Sequence, residues 1–296
     1  MRPAACDPAR MHTVHDSRFT ASGGLQLHQR DWIAAQPRAR LLLVHGLGEH
    51  SGRYARLADD LVGAGISVRA YDHRGHGRSE GERARVDGHN TQLAHDLLDV
   101  FAAYASEGED VPFVFGHSMG GLVAMYAVVV MGLMPRGLIA SSPALRTHAS
   151  RFQRRLAGRL VHWLPHLRLR SGLPAEHLSH DPRIIEDFRS DPLNHDRISA
   201  RLAHFIFLGG QRVIEQAATL KVPTLLQFAA DDRFVDPAGA REFAAAAPPR
   251  KLEVHEYQRL YHEIYNETDA ERSQVVSDLF RWLDLHLDPP KRPCHP

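Results

Sequence analysis

A chain of 296 residues, 43% of them hydrophobic, can bury the core of one large domain or of one domain carrying an insertion. Its formal charge of +1 excludes any global electrostatic reason to bind nucleic acid, and with lysine only at Lys221, Lys251 and Lys291 no Walker A phosphate loop can form. Two cysteines, Cys6 and Cys294, make no disulfide framework, and no apolar run approaches the roughly 18 residues of a membrane span.

The opening residues are polar, contain prolines and lack the apolar stretch of a signal peptide, so the expected location is the cytoplasm. Residues 1–17 are expected to be disordered. Phe19 to Ala21 and Leu25 to Trp32 flank Gly23-Gly24 as a hairpin. Leu41 to Val44 is a continuous apolar run ending at His45-Gly46, as a central parallel strand should be. Tyr54 to Val62 reads as helix, Ile66 to Tyr71 as strand, Asp72 to Gly81 as a glycine-rich loop and Thr91 to Ala105 as helix. Val111 to Phe115 is then a buried strand, Gly116 to Gly120 a sharp turn and Gly121 to Ala127 a packed helix, followed by a strand over Gly137 to Ser142. The alternation predicts a mostly parallel, doubly wound α/β sheet with active groups at the carboxyl ends of its strands.

From Leu145 to Ala218 the pattern predicts helices and no strand, an insertion that would form a cap over the site. The sheet resumes at Pro223 to Phe228; a helix over Glu242 to Ala247, a strand over Leu252 to Tyr257 and a closing amphipathic helix over Ala270 to Leu287 follow. The expected division is therefore a core of residues 18–144 and 219–287, a helical cap of 145–218 and a disordered tail of 288–296.

Gly116-His117-Ser118-Met119-Gly120 is a G-x-S-x-G sequence in the strand, turn, helix context that the motif requires. Such a turn lifts the serine hydroxyl out of the sheet and aims the Met119 amide where an oxyanion would form. A serine hydroxyl is a poor nucleophile unless a base and a group orienting that base lie within reach. In this architecture both follow the serine, acid first and histidine last. Asp231, Asp232 and Asp236 directly follow the strand ending at Phe228, and we rank Asp232 first, Asp236 second and Asp231 third; Asp236 before Pro237 also suits a helix cap. His262 stands in the loop after the last strand, and that position singles it out among 21 histidines. A second oxyanion donor would be the Leu47 amide, between Gly46 and Gly48; a tight strand-to-helix connection would use the same glycines.

Other chemistries fail on spacing. Gly46-Leu47-Gly48 and Gly75-His76-Gly77 lack the third glycine of a dinucleotide loop, and His262-Glu263-Ile264-Tyr265-Asn266 lacks the second histidine of a zinc peptidase. No metal or cofactor is expected.

His45 to Tyr54, Asp72 to Ser79, Gly116 to Gly120, Asp232-Arg233 and Tyr261-His262-Glu263 together resemble the monoacylglycerol lipase and lysophospholipase family of α/β hydrolases, over about residues 18 to 287. The resemblance implies the α/β-hydrolase fold, Ser118 as nucleophile, Asp232 as acid, His262 as base and Leu47 and Met119 as oxyanion donors. It also implies a role for Glu49 and Arg53 near the polar end of the pocket. Tyr265 stands near where some relatives carry a second histidine for the polar head, so head-group preference does not carry over. The implied substrate is a single-chain lipid ester, monoacylglycerol or lysophospholipid. Thioester or small-ester hydrolysis comes next, a peptidase of the same superfamily third, and a non-catalytic binding protein on this fold is the alternative from another class.

Between Leu145 and Ala175 stand seven arginines (146, 151, 154, 155, 159, 168 and 170) and no carboxylate, while Phe152, Leu156, Leu160, Trp163 and Leu164 recur at helical spacing. A basic amphipathic helix with tryptophan suits peripheral contact with an anionic membrane; a stripe packed on the main domain beneath a solvated arginine face fits equally well. Phe205 to Gly210, with Phe205 leading, is a candidate wall for an acyl channel or ordinary core.

Overall fold

The computed structural model describes residues 13–287. Leu41, Leu42, Leu43 and Val44 are all fully buried, and the two-residue period of a strand sends Leu42 and Val44 into one apolar cluster and Leu41 and Leu43 into another. A strand buried on both faces needs cover on both, which dictates a three-layer domain. The sheet has eight strands: β1 (Thr13–Thr20), β2 (Gln26–Ile33), β3 (Ala39–Val44), β4 (Ile66–Tyr71), β5 (Phe113–His117), β6 (Leu138–Ser141) and, after the cap, two more over Thr224–Ala229 and Leu252–Tyr257. Only β2 runs against the rest of the sheet, antiparallel to both β1 and β4. On one face lie α1 (Ala55–Gly63) and the long closing helix over Asp269–His286, through Leu57, Leu61, Val275, Leu279 and Trp282. On the other lie α2 (Gln92–Ser106) and α3 (Met119–Val129), the latter buried over its whole length.

The cap between β6 and the seventh sheet strand holds α4 (Arg151–Trp163), β7 (Arg168–Arg170), α5 (Pro182–Ser190), β8 (Arg197–Ser199) and α6 (Ala200–Glu215). β9 (Thr224–Ala229), α7 (Ala238–Ala246), β10 (Leu252–Tyr257) and α8 (Asp269–His286) complete the chain, and the sheet order is β1-β2-β4-β3-β5-β6-β9-β10. The chain leaves β3 toward β4 and returns on its other side as β5, so the crevice of a doubly wound sheet opens at the carboxyl ends of β3 and β5.

Two expectations need correction. The disorder expected of residues 1–17 does not hold for Thr13 to Ser17, which pair with Gln29 to Ile33; residues 1–12 and the tail 288–296 lie outside the described residues. The cap is not wholly helical, since β7 and β8 form an antiparallel ribbon in which Leu169 faces Ile198. Three residues per strand are too few for alternation to announce itself in sequence.

Candidate active site

Ser118 sits on the turn between β5 and α3 with φ 54° and ψ −118°, a left-handed conformation that a residue with a Cβ rarely adopts. The neighbours permit it only as glycine: a Cβ on Gly116 would lie 2.5 Å from the Gly120 carbonyl oxygen, and one on Gly120 would lie 2.2 Å from that of Val44. The chain is fixed by Ser118 N–H donating to Ser141 C=O at 2.9 Å, and Leu122 and Ala144 N–H both donating to Ser118 C=O at 3.0 Å.

The hydroxyl of Ser118 lies 2.8 Å from His262 Nε2, and His262 Nδ1 lies 2.6 Å from Asp232 Oδ2. A carboxylate can only accept, so Nδ1 carries the hydrogen and Nε2 is left to accept from the serine. Asp232 is held by its other oxygen, which accepts from Phe234 N–H at 2.8 Å and Val235 N–H at 3.0 Å. The competing aspartates are elsewhere. Asp231 pairs with Arg233 at 2.8 Å, and Asp236 accepts from Ala238 N–H at 3.0 Å at the start of α7.

Burial by itself would depress the His262 pKa, but the Asp232 carboxylate, with Glu263 and Glu49 behind it, raises it above the ordinary histidine value. His117, one residue before the serine, is buried with its ring 4.8 Å from that of His262; burial first, then the neighbouring imidazole, lower its pKa to about 4, so it stays neutral.

Leu47 follows β3 in the loop that begins His45-Gly46. Among the described residues nothing accepts from its amide, and Leu47, Ser118 and Met119 line one cavity of about 460 Å³. The loop is built from beneath. His45 Nδ1 bonds the Gly46 carbonyl at 2.7 Å while its Nε2 accepts from His73 N–H at 2.9 Å, a pattern only the neutral ring can make. Asp72 accepts from Ser51 N–H at 2.7 Å and Arg78 N–H at 2.8 Å, clamping the two glycine-rich loops together.

Glu49 and Arg53, expected at the polar end of the pocket, do not line this cavity. Glu49 Oε1 accepts from Gly46 N–H and from the Tyr54 hydroxyl, each at 2.5 Å. Arg53 donates to Glu49 at 2.8 Å and to both oxygens of Glu263 at 2.5 and 2.8 Å. Burial works against the Glu49 charge, yet Arg53 and the nearby histidines hold its pKa down to about 2. One guanidinium thus ties the loop of Leu47 to the neighbour of His262. Replacing it (Arg53→Met) would strand two buried carboxylates and is expected to destabilise the fold by about 3–5 kcal/mol, read from the urea midpoint of unfolding.

Phe205 and Tyr265 are not brought to the site. The Phe205 ring packs edge-on against Tyr126 of α3 as core, and its successors Ile206 and Phe207 face the cavity instead. Tyr265 is buried with its ring edge-on to Phe115 and its hydroxyl on Gln227. Residues that sequence reasoning passed over include Phe234, His117 and Glu263. Each immediately adjoins, or stands two places from, a residue singled out for chemistry, and that adjacency was the available signal.

A parallel sheet with helices on both faces, a serine on a strained turn after β5, and a histidine and a carboxylate at the ends of β10 and β9 define a serine hydrolase of the α/β-hydrolase fold. Residues 35–269 match the family model described as serine aminopeptidase, S33. The monoacylglycerol lipase of Mycolicibacterium smegmatis is 30% identical over 284 residues, covering 93% of this chain and 99% of that one. Human monoglyceride lipase is 31% identical over 267 residues, covering 88% and 87%. The crystal structure of Paleococcus ferrophilus monoacylglycerol lipase superposes with a TM-score of 0.80 at 32% identity, covering 88% of this chain and 99% of that one. The chain belongs to this family of serine hydrolases, in its monoacylglycerol lipase-type branch.

Proposed function

We propose that the protein hydrolyses the ester of a single-chain lipid, monoacylglycerol before lysophospholipid, through an acyl-enzyme on Ser118. The observation that carries this reading is the cavity beside the serine. Its walls include Leu156, Leu160, Leu169, Ile198, Ile206 and Phe207, so it offers an acyl chain an apolar bed that ends at the nucleophile. His262 takes the serine proton as Oγ attacks the ester carbonyl. The Leu47 and Met119 amides receive the oxyanion, and the alcohol departs with the proton from His262. A water activated by the same ring then frees the fatty acid, while Asp232 stays ionised and fixes the imidazole.

A panel of monoacylglycerols, lysophospholipids, acyl-CoA, short nitrophenyl esters and an aminoacyl anilide tests this, with Ser118→Ala as control. Monoacylglycerol should give the highest kcat/KM. Preference for acyl-CoA, for the shortest ester or for the anilide would replace the reading.

The cap supplies a route for such a substrate. Phe152 is 73% exposed and Trp163 85% exposed on α4, so these two stand in solvent, while Ala157 and Val161 make the buried side of the helix. Arg146, Arg168 and Arg170 are paired with Asp236, Glu82 and Asp196, and Arg154 donates to the Ala149 and Thr147 carbonyls at 3.1 Å, which among the described side chains leaves Arg155 and Arg159 as the exposed cations of the helix. Leu156 belongs to both the stripe and the cavity wall, joining the outer surface to the site. The arrangement supports docking of the cap on an anionic bilayer. No helix among the described residues is long and apolar enough to cross a membrane. Trp163→Ala with Phe152→Ala should reduce co-sedimentation with anionic vesicles several-fold without changing kcat on a short soluble ester; unchanged sedimentation would remove the cap from the surface.

A further inference from the structure

The turn that supplies the acid also supplies an aromatic ring to the base. Phe234, whose N–H donates to Asp232 Oδ1 at 2.8 Å, lays its ring parallel to the His262 imidazole, with centroids 4.9 Å apart and planes within 5°. The same ring is half-buried and faces the cavity beside Ser118. His262 is thus gripped at Nδ1 by Asp232, at Nε2 by Ser118 and on a face by Phe234, and His117 meets it at 51°. We infer that Phe234 is a positioning residue for the base: its π face holds the imidazole in the plane of the serine hydroxyl and favours the imidazolium that forms as the proton transfers.

The physical ground is the ring quadrupole. A cation over an aromatic face is attracted to it, more so where water is excluded, and His262 is nearly fully buried. The other groups facing the imidazole do not duplicate the effect. Asp232, Glu263 and Glu49 act through charge from the β9, β10 and β3 loops. His117 is neutral, so it neither repels the forming cation nor stabilises it as a charge. His148 lies 3.3 Å from the Asp232 carbonyl oxygen, beyond the acid.

The inference rests on His262 being the base, and its test separates the two. Ring nitrogens of His262, assigned by their loss in His262→Ala, are titrated by NMR without substrate in the unsubstituted protein, Phe234→Leu and Phe234→Tyr. Leucine keeps the apolar bulk and removes the π face. It should lower the His262 pKa by about 0.4 to 1.5 units, move the acidic limb of kcat/KM on a short nitrophenyl ester to lower pH by the same amount, and reduce plateau kcat roughly 2- to 30-fold. Tyrosine should restore all three. A leucine variant with an unshifted titration and limb, changed only in KM for long acyl chains, would make Phe234 a cavity wall and nothing more. Activity surviving in His262→Ala would instead remove the base itself, whatever the titration of Phe234→Leu shows.

Discussion

Ser118→Ala is expected to lower kcat on a monoacylglycerol by roughly 10⁴- to 10⁶-fold, with KM changed little. In the proposed mechanism the hydroxyl is the atom that bonds to the acyl carbon, and its removal leaves only the oxyanion amides and the apolar cavity to act. Those bind the ester but offer no nucleophile, so the residual rate comes from water reaching the carbonyl. Alanine keeps the Cβ, and the bonds that fix the turn, from Ser118 N–H to Ser141 C=O and from Leu122 N–H to Ser118 C=O, are backbone only. The variant should therefore fold, and circular dichroism together with unaltered binding of a non-hydrolysable ether lipid would separate lost chemistry from lost structure. Because serine and histidine act as one unit, Ser118→Ala with His262→Ala should be scarcely slower than either alone. Additive losses would mean that the 2.8 Å contact between them is not used in turnover.

Asp232→Asn should cost about 10⁴-fold in kcat, and Asp236→Asn less than a few-fold. Both changes are nearly isosteric, so the contrast reports electrostatics and tautomer. At position 232 the amide can present an N–H to His262 Nδ1, which then turns acceptor and leaves Nε2 protonated, unable to take the serine hydrogen. The Asp236 carboxylate has a different occupation: it accepts from Ala238 N–H at 3.0 Å and lies 3.3 Å from Arg146 Nε at the seam of the cap. Steady-state kinetics on the two purified variants decides the matter, and the opposite ranking would transfer the role of acid to Asp236.

The alternation of strand and helix was legible because central strands such as Leu41 to Val44, followed by His45-Gly46, are apolar on both faces. The spacing of Ser118, Asp232 and His262 was legible for a related reason, since a parallel sheet delivers its functional loops at one edge in chain order. What sequence could not show is which side of a short element faces inward. Phe205 and Phe207 stand two places apart on one helix, and the turn of roughly 200° between them sends one against Tyr126 and the other to the cavity. Tyr265 carries a hydroxyl that would serve a polar substrate as readily as Gln227, and the packing of α8 under the sheet decides for the glutamine. The Asp72 to Ser79 stretch, matched to the family, proves to be scaffolding: Asp72 braces the loop of Leu47 through Ser51. Sequence likeness marks such a residue without saying whether it touches substrate or holds something that does.

The positive φ at Ser118 has a bearing on durability. A side chain in that conformation carries about 1–3 kcal/mol of backbone strain, present in every folded molecule whether or not an ester is bound. Glycine there would relax it, giving a chain that resists heat better and has no reaction to perform. The working form is thus the softer of the two, and the thermal margin of this fold is set in part at the residue proposed to begin its chemistry.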